Sequence, residues 1–475
     1  MKRADQPCLL KVAHDLKFIT CDRFGQEAYN GPMDLRSALE QIQSSALEAV
    51  NPEGAVLRFL SQKDGQLQVA EKTYSLDRRV FLIGAGKAGL PMARAVEGVL
   101  GDKLEAGMVV VKYGHGGTLQ KTTVLEGNHP EPDEGGYESA GRILAFLQEN
   151  LQKSDLLLVV ISGGGSALLP APVEAITFKE KQATSALLLQ SEATIQEINT
   201  IRKHLSRVKG GQLLNYTQGA EVISLLLSDV VGDDLASIAS GPTNPDPTTF
   251  SQCMEIIRRQ GLEKRLPESV LKYLQSGAAG TPGSEETPKP GDPRFEKVHN
   301  VIVGCNMQAL EAAAEKARQL GFSPLILSSS ITGNTADVAL SHVAIARQAL
   351  ETGDPIQPPC CIISGGETTV RLTGAGKGGR NQEFALWCAR EIADWSHSRV
   401  LFASVGSDGT DGPTDAAGAL ASPETARKAK EKGLSIQAYL DRNDSYHFFS
   451  ELGDLIMTGP TLTNVMDLRF ILIDV

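Results

Sequence analysis

A lysine enclosed by glycines is the first feature of this sequence that could do chemistry. Residues 84–89 read GAGKAG; the apolar run Val80–Ile83 precedes them, and apolar residues with helical spacing follow. A strand, a glycine turn and a helix in this order direct backbone N–H groups and a helix N-terminus at an anion. We therefore predict that Gly84 and Gly86 contribute to a phosphate-binding turn and that Lys87 contacts the negative group held there.

The same loop has the GxGxxG spacing of dinucleotide-binding proteins. A site for NAD also needs a carboxylate at the end of the next strand, about 20 residues further on. That strand ends in Val111-Lys112-Tyr113-Gly114 and has no acid there, although Lys112 would suit the extra phosphate of NADP. The GxxxxGK[ST] motif of P-loop proteins does not occur. An NAD(P)-dependent oxidoreductase is therefore a weakened alternative that stays open.

A second glycine loop follows another apolar run, at SGGGSALL. Three successive glycines allow a backbone to approach a phosphate or a carboxylate closely. We predict that this loop binds an anion through Ser162, Gly163, Gly164, Gly165 and Ser166. Ser166 as a hydrolytic nucleophile is the competing interpretation, but no GxSxG elbow surrounds it, and no His or Asp is tied to it by local sequence.

Two loops rich in acids also follow apolar runs, SDVVGDD (228–234) and GSDGTDGPTDAAG (406–418). Asp and Gly favour turns in general, so one such loop alone would carry little weight. Two of them beside the glycine loops suit Mg²⁺ bound to a triphosphate, because that ion needs a few hard oxygen ligands and keeps several waters. We predict that Asp229 and Asp408 either ligate Mg²⁺ or accept a proton from a substrate hydroxyl group.

Basic residues and one histidine complete the candidate set. The segment GKGGRNQE (376–383) places Lys377 and Arg380 at a glycine turn before a helix, where a forked guanidinium suits phosphate or carboxylate recognition. Among the histidines, only His129 lies in a motif-like turn, NHPEPDEGG, and neither HExxH nor a close histidine pair occurs. Catalytic zinc is therefore not expected.

These residues must be positioned by a chain of 475 residues, which is too long for one ordinary core. Its 41% hydrophobic and 22% charged residues are typical of a soluble globular protein, and no apolar run approaches the ~20 residues of a membrane span. The net charge of −11 argues against nucleic-acid and anionic-membrane partners, but not against an anionic small substrate. Seven cysteines without a CxxC pair indicate reduced thiols in an intracellular, cytoplasmic protein.

The order of the elements predicts an α/β fold with two domains. In the first half a βαβαβ order predicts a Rossmann-like, doubly wound parallel sheet. Gly, Pro and charged residues dominate 276–294, and a second α/β pattern follows. We predict an N-terminal extension at 1–35, domains at 36–275 and 298–475, a linker at 276–297, and a ligand cleft between the domains. The extension mixes acids with bases, so it is not a secretory signal, and organelle targeting by it stays open.

Glycine-rich loops recur at predicted strand ends, at 84–89, 161–166, 363–368 and 374–379. In open α/β sheets that edge is where ligands bind. The third of these loops lies in CCIISGGETTVRLTG (360–374), for which we predict a strand, a tight turn and a second strand.

Several segments taken together resemble the class II glycerate kinases. They are IGAGKAG, GNHPEPDEGG, ISGGGSALLPAP, TIQEINTIRKHLSRVKGG, LLLSDVVGDDLASIASGPT, SGGETTV, GKGGRNQE, GSDGTDGPTDAAGA and TGPTLTNVMDL. The resemblance spans roughly residues 36–475, and the C-terminal part of this family, here about 358–470, is often called the MOFRL domain. It implies ATP-dependent phosphorylation of D-glycerate at the 2-hydroxyl group with Mg²⁺, with small-molecule partners and with a homodimer left open.

Two alternatives remain beside that activity. Members of the family have also been labelled hydroxypyruvate reductases, so NAD(P)H-dependent reduction of hydroxypyruvate is the first. A noncatalytic protein that binds glycerate or a nucleotide is the second.

The resemblance also implies roles for single residues. The loop lysine of the family corresponds to Lys87, the arginine of GGRNQE to Arg380, and the GTDG-type acidic loop to 407–415, with Asp408 and Asp411 as candidate acids. We expect Lys87, Arg380 and Asp408 to be catalytic, the two cations by neutralising the γ-phosphoryl group and the glycerate carboxylate. The amides of 163–165 would serve one of these anions. The expected substrate- or phosphate-binding residues also include Asp229, Lys377 and Asp411.

Overall fold

The computed structural model describes residues 34–396 and 399–474. The predicted extension at 1–35 therefore lies almost wholly outside the described residues. The helices within these ranges are α1 Leu35–Ala49, α2 Pro52–Phe59, α3 Gly89–Leu100, α4 Glu134–Asn150, α5 Gly165–Leu168, α6 Phe178–Leu189, α7 Ile195–His204, α8 Phe250–Arg259, α9 Glu268–Ala278, α10 Asn306–Gln319, α11 Thr335–Thr352, α12 Arg380–Glu391, α13 Pro423–Glu431, α14 Ile436–Asp441 and α15 Ser445–Leu452.

The strands form three sheets. They are β1 Leu60–Lys63, β2 Gln66–Val69, β3 Lys72–Ser75, β4 Val80–Ala85, β5 Leu104–Lys112, β6 Thr122–Gly127, β7 Leu156–Ile161, β8 Glu221–Leu227, β9 Val298–Gly304, β10 Ser323–Asn334, β11 Cys360–Thr369, β12 Val400–Gly406, β13 Gly418–Ala421, β14 Leu455–Ile456 and β15 Asp467–Ile473. β1, β2 and β3 make a small antiparallel sheet, and each of the other two sheets has six strands.

The first large sheet has the order β6-β5-β4-β7-β8-β9, and all its pairings are parallel. β4 and β7 are buried along their whole length, as expected for continuous apolar runs covered on both faces. The strand order reverses between β4 and β7, so the loops that follow these two strands open a crevice at their carboxyl ends. The predicted doubly wound α/β sheet is confirmed.

Two strands of this sheet differ from the sequence-based expectation. β6 was not predicted, because this short edge strand alternates between buried and exposed residues and lies in a polar stretch. The segment of β9 was predicted to open the second α/β pattern, but β9 pairs with β8 in the first sheet. The bounds of the two domains stay a prediction.

The second large sheet is mixed and has the order β10-β11-β15-β12-β13-β14. Only β10 and β11 are parallel, and the last strand, β15, lies fully buried between β11 and β12. Side chains of α11 and α12 pack with this sheet in one apolar cluster that includes Phe384, Phe402 and Ile471. This arrangement brings the ends of β11 and β12 and the start of β15 to one edge.

The prediction of a tight turn within 360–374 was wrong, because β11 continues through its glycines to Thr369. A Cβ atom at Gly365 would lie 1.8 Å from Asn306 Oδ1, and one at Gly366 would lie 2.2 Å from the Ile331 carbonyl oxygen. The register against β10 also shifts near Ile331. These glycines therefore allow close packing of neighbouring backbone and do not reverse the chain.

Two further observations concern helices and thiols. None of the helices in the described ranges is long and apolar enough to cross a membrane. The cysteines within the described residues are buried as free thiols at positions 253, 305, 360, 361 and 388.

Candidate active site

The loops that follow β4 and β7 pack directly against each other. The backbone N–H of Lys87 donates to the Gly163 carbonyl oxygen at 2.8 Å, and the Ala88 N–H donates to Ser162 Oγ at 3.0 Å. Gly86 has φ of 138°, and a Cβ atom there would lie 2.1 Å from Ser162 Oγ. A Cβ atom at Gly84 would lie 2.3 Å from a methyl group of Val160. These contacts explain both glycines and the Ser162 hydroxyl group by packing alone, so their predicted contact with phosphate stays a prediction.

Lys87 meets an acid from the second large sheet. Its Nζ lies 3.2 Å from Asp408 Oδ2, and the two side chains are 19% and 24% exposed. Asp408 follows β12, and its other oxygen accepts hydrogen bonds from the N–H and the hydroxyl group of Thr410. A partly exposed ion pair of this kind contributes little to stability. Both charged groups therefore remain accessible to a ligand.

Asp229 lies on the other side of the same loop, at the end of β8. A Cβ atom at Gly163 would lie 2.6 Å from Asp229 Oδ2 and 3.2 Å from Asn464 Nδ2. Burial raises the pKa of Asp229 to about 6, while the positive charge of Lys87 opposes this and Glu367 adds to it. Within the described part of the chain no other residue donates a hydrogen bond to this carboxylate. Asp229 is therefore a crowded acid with free lone pairs next to Lys87.

His129 packs on the same glycine loop. Gly164 has φ of 86°, and a Cβ atom there would lie 2.8 Å from His129 Cδ2. Burial, together with the positive charges of Lys87 and Lys112, lowers the pKa of His129 to about 4. The imidazole is therefore neutral near pH 7, and it can donate a hydrogen bond to a substrate hydroxyl group or accept one from it. The sequence marked His129 only as part of a turn motif.

Arg380 is held at the start of α12 by two acids of the second large sheet. Its Nε donates to both oxygens of Asp467 at 3.0 and 2.8 Å, and its Nη1 lies 2.9 Å from Glu367 Oε1. Although burial opposes it, the charges of Asp467 and Glu367 raise the pKa of Arg380 above its ordinary value. The guanidinium is 33% exposed, whereas Asp467 is fully buried. Arg380 is thus a permanent cation that faces solvent from a fixed position.

Sequence reasoning missed Glu367, Asp467 and Asn464 as site residues. Glu367 lies in the SGGETTV segment, and Asn464 and Asp467 lie in TGPTLTNVMDL. Both segments carried the family resemblance, so the signal was present, but local spacing does not show that β11 and β15 are neighbours. The charge of Glu367 acts on Asp229 and on Arg380, which connects the two halves of the site.

Asp411 and Lys377 make their described contacts with residues around α12. Asp411 is buried, and its two oxygens accept hydrogen bonds from the backbone N–H and side-chain amide groups of Asn381 and Gln382. The N–H of Lys377 donates to Asp444, and its Nζ lies 4.1 Å from the centre of the Tyr446 ring. The described contacts of these two residues do not include Lys87 or Asp229. The structure gives Asp411 a helix-capping role, and direct substrate contact by either residue stays a prediction.

Ser166 is bound to a lysine that the sequence did not single out. Lys209 Nζ donates to Ser166 Oγ at 2.5 Å and to the Ser166 carbonyl oxygen at 2.6 Å, and Ser240 Oγ lies 3.1 Å from Ser166 Oγ. Ser166 lines a cavity of about 560 Å³ together with Gly164, Asp229 and other residues. The second glycine loop therefore contacts the Lys87 loop on one side and lines this cavity on the other.

Within the described residues, protein side chains alone do not build a complete metal site. The described ranges contain no cluster of three or more His, Cys, Asp or Glu side chains with metal-binding geometry. Asp229 and Asp408 both act electrostatically on the region of Lys87, and Asp229 has free lone pairs. Such a sparse carboxylate set fits Mg²⁺ that arrives with substrate phosphates, because that ion takes only one or two ligands from protein.

Two family models match this chain. The first is described as a domain of unknown function (DUF4147) and matches residues 38–275. The second is the MOFRL family and matches residues 360–467. All the site residues described above lie within these two ranges, at the sheet edges.

Similar proteins cover nearly the whole chain. Glycerate 2-kinase of Pyrococcus horikoshii is 40% identical over 434 residues, which is 91% of this chain and 96% of the relative. Glycerate kinase of Homo sapiens is 39% identical over 491 aligned residues, with 92% of each chain covered. A protein of Agrobacterium vitis with the provisional name of a hydroxypyruvate reductase is 40% identical over 440 residues, 92% of this chain and 94% of its own.

Solved structures show the same fold. A crystal structure of a protein from Pyrococcus horikoshii OT3 matches with a TM-score of 0.81 and 39% identity, covering 93% of this chain and 99% of that one. A crystal structure of glycerate kinase from Thermotoga maritima matches with a TM-score of 0.81 and 36% identity, covering 92% and 99%. The chain therefore belongs to the glycerate kinase family whose C-terminal part is the MOFRL region.

Proposed function

We propose that this chain transfers the γ-phosphoryl group of ATP to the 2-hydroxyl group of D-glycerate, forming 2-phosphoglycerate. The observation that carries this proposal is the meeting of Lys87, Asp408 and Asp229 at the facing edges of two sheets in a member of the glycerate kinase family. The name of the Pyrococcus horikoshii relative, glycerate 2-kinase, supports the 2-hydroxyl group as acceptor. Both substrates are then small anionic molecules.

The cations supply most of the catalysis. Phosphoryl transfer depends mainly on positioning and on stabilisation of the charge on the transferred group. Lys87, fixed by the packing of its backbone on Gly163, would contact the γ-phosphoryl group. Arg380, fixed by Asp467 and Glu367, would bind the glycerate carboxylate through its exposed guanidinium face.

The glycine loop provides donors between these cations. In the described residues the backbone N–H groups of Gly163 and Gly164 donate to no protein acceptor. They lie beside Asp229 and His129, at the point where Lys87 meets the loop. We infer that these amides bind an oxygen of the transferred group, as oriented backbone donors do in other anion sites.

The two acids would divide the remaining tasks. Asp408 would hold Mg²⁺, which neutralises phosphate charge when it is bound. Asp229 is the favoured acceptor of the proton from the 2-hydroxyl group, because its raised pKa makes it a stronger base than an ordinary aspartate. Asp408, already paired with Lys87, is the weaker candidate for that proton.

Purified protein tests this function in one set of assays. We expect ADP formation that requires both ATP and D-glycerate, and no oxidation of NADH or NADPH when hydroxypyruvate is added without ATP. Oxidation of NAD(P)H with hydroxypyruvate would contradict the kinase and support the reductase. Binding of both ligands without any turnover would instead support a noncatalytic protein.

A further inference from the structure

The cavity beside the second glycine loop extends well beyond Lys87, Asp229 and Asp408. It has a volume of about 560 Å³ and is lined by α6, by α7, by the His129–Pro132 segment and by residues 237–240. Gly164, Ser166 and Asp229 belong to its lining, so it is continuous with the proposed site of phosphoryl transfer. A three-carbon acid would fill only a small part of this volume, whereas cavities of this size bury larger ligands.

Among the described residues, three basic side chains without a carboxylate partner line the cavity. They are Lys181 on α6, Arg202 on α7, and Lys209. Lys181 is 7% exposed, and its ammonium nitrogen has no hydrogen-bond partner among the described residues. Lys209 is 3% exposed, and within the same residues its ammonium group donates to Ser166 alone. In the part of the chain that the structure describes, none of the three forms an ion pair. Their positive charges also act on one another unfavourably.

Such a cluster is costly unless an anion occupies the cavity. Burying an unpaired charge is strongly unfavourable, and three neighbouring cations repel each other as well. A single carboxylate would balance only one of them, whereas a polyphosphate offers several negative charges along one chain. The lining also includes the carboxylates of Glu131 and Asp229, so three basic groups stand against two acids. This excess of basic groups fits a phosphate chain better than it fits glycerate.

Apolar side chains complete the lining. Phe178 lies at the start of α6, and Leu189 and Ile195 lie on either side of the α6–α7 connection with 63% and 55% of their surface exposed. A ligand that covered these two side chains would remove their apolar surface from water. A nucleotide has both parts that this lining requires, an aromatic base and a phosphate chain.

We propose that this cavity is the nucleotide site, with Lys181, Arg202 and Lys209 on the phosphates and Leu189 and Ile195 against the base. This inference rests on the proposed function and deepens it. The γ-phosphate then points past Gly164 and Asp229 towards Lys87, and glycerate binds on the Arg380 side. The two substrates thus approach Lys87 from the two large sheets.

Isothermal titration calorimetry of ATP binding to the full chain, without glycerate, tests the role of the three basic side chains. Lys181→Met should raise the Kd for ATP about tenfold or more, because a charge-assisted contact is lost. Lys179→Met, an exposed lysine on the same helix, is the matched control and should leave the Kd within about twofold. The Tm of unliganded Lys181→Met should stay equal or rise, because an unpaired buried charge is removed. An unchanged Kd in a folded Lys181→Met protein would overturn the proposal.

Binding of inorganic triphosphate, which has no base, distinguishes the basic side chains of the cavity from its apolar side chains. Ile195→Ser should weaken ATP binding but leave triphosphate binding unchanged, whereas Lys181→Met should weaken both. If Lys181→Met instead raised the calorimetric Kd for glycerate and left ATP binding intact, the cavity would be the glycerate site and the proposal would be wrong. Because these measurements need no turnover, a chain that binds ATP here but does not phosphorylate glycerate would contradict only the proposed function.

Discussion

Lys87 and Asp408 are 321 residues apart in the chain, yet their charged groups lie 3.2 Å from each other. Lys87 follows a strand of the parallel sheet, and Asp408 follows a strand of the mixed sheet. The pair therefore marks where the carboxyl-terminal ends of β4 and β12 meet. Its partial exposure leaves both groups available for a substrate.

Lys87→Ala should lower kcat by about 10² to 10³-fold and change the two KM values much less, because Lys87 acts mainly on charge in the transition state. The free energy of unfolding should change by less than about 1 kcal/mol, since the ion pair is partly exposed. Steady-state kinetics and urea unfolding measure both quantities. Lys103→Ala, an exposed lysine after α3, is the control. A near-normal kcat would remove Lys87 from the mechanism.

Asp229→Asn and Asp408→Asn should fail in different ways. Loss of a proton acceptor lowers kcat by about 10²-fold or more at every Mg²⁺ concentration, and we expect this for Asp229. Loss of a metal ligand raises the Mg²⁺ concentration needed for half-maximal rate, by about tenfold, and we expect this for Asp408. Mg²⁺ titrations of the two variants distinguish the roles. The reverse pattern would make Asp408 the proton acceptor and Asp229 the metal ligand.

Asp467→Asn should destabilise the fold by about 3 to 5 kcal/mol, because it leaves Arg469 and Arg380 without their buried counter-charge. Glu367→Gln removes the exposed partner of Arg380 and should cost less than about 1 kcal/mol. Urea unfolding of the two variants provides the comparison. Equal stability losses would show that Asp467 does not anchor the arginines.

Asp411→Asn tests whether this acid holds α12 or contacts substrate. Its four hydrogen bonds come from Asn381 and Gln382, so the variant should lose about 1 to 3 kcal/mol of stability. Both KM values should stay within about twofold in protein that remains folded. A large rise in either KM without a loss of stability would return Asp411 to the substrate site.

Nucleotide binding should take up protons above pH 7. Burial, with the positive charges of Arg202 and Arg207, lowers the pKa of Lys181 to about 7 in the free protein. Phosphate favours the charged form and raises this pKa, so ATP affinity should fall as pH rises above 7. Calorimetry at pH 8 in buffers with different ionisation enthalpies measures the uptake. Burial, with the neighbouring positive charges, also lowers the pKa of Lys209, so the uptake should be smaller in Lys181→Met but not absent. An unchanged uptake in that variant would assign the proton to another group.

The fold was largely readable from the sequence, because buried parallel strands such as β4 and β7 are continuous apolar runs next to glycine turns. The assignment of β9 to the first sheet was not readable, since an apolar strand carries no record of the strand it pairs with. The glycines of 365–366 were misread as a turn because glycine serves both turns and close packing.

The site was readable only in part. Lys87, Arg380, Asp229 and Asp408 stand in distinctive glycine or acid loops, so their types and spacing suggested chemistry. Lys181, on α6, gave no such signal, because a lysine in a helix is normally solvated. Only the packing of α6, α7 and the second glycine loop shows that this lysine is buried and unpaired.

The most direct test of the account is ³¹P NMR of the product formed from ATP and D-glycerate by the purified chain. The account predicts a new phosphomonoester signal that matches 2-phosphoglycerate, appears together with ADP, and is lost in Lys87→Ala. A product that matches 3-phosphoglycerate would contradict the 2-hydroxyl acceptor. Absence of any phosphorylated glycerate with folded, ATP-binding protein would contradict the central claim.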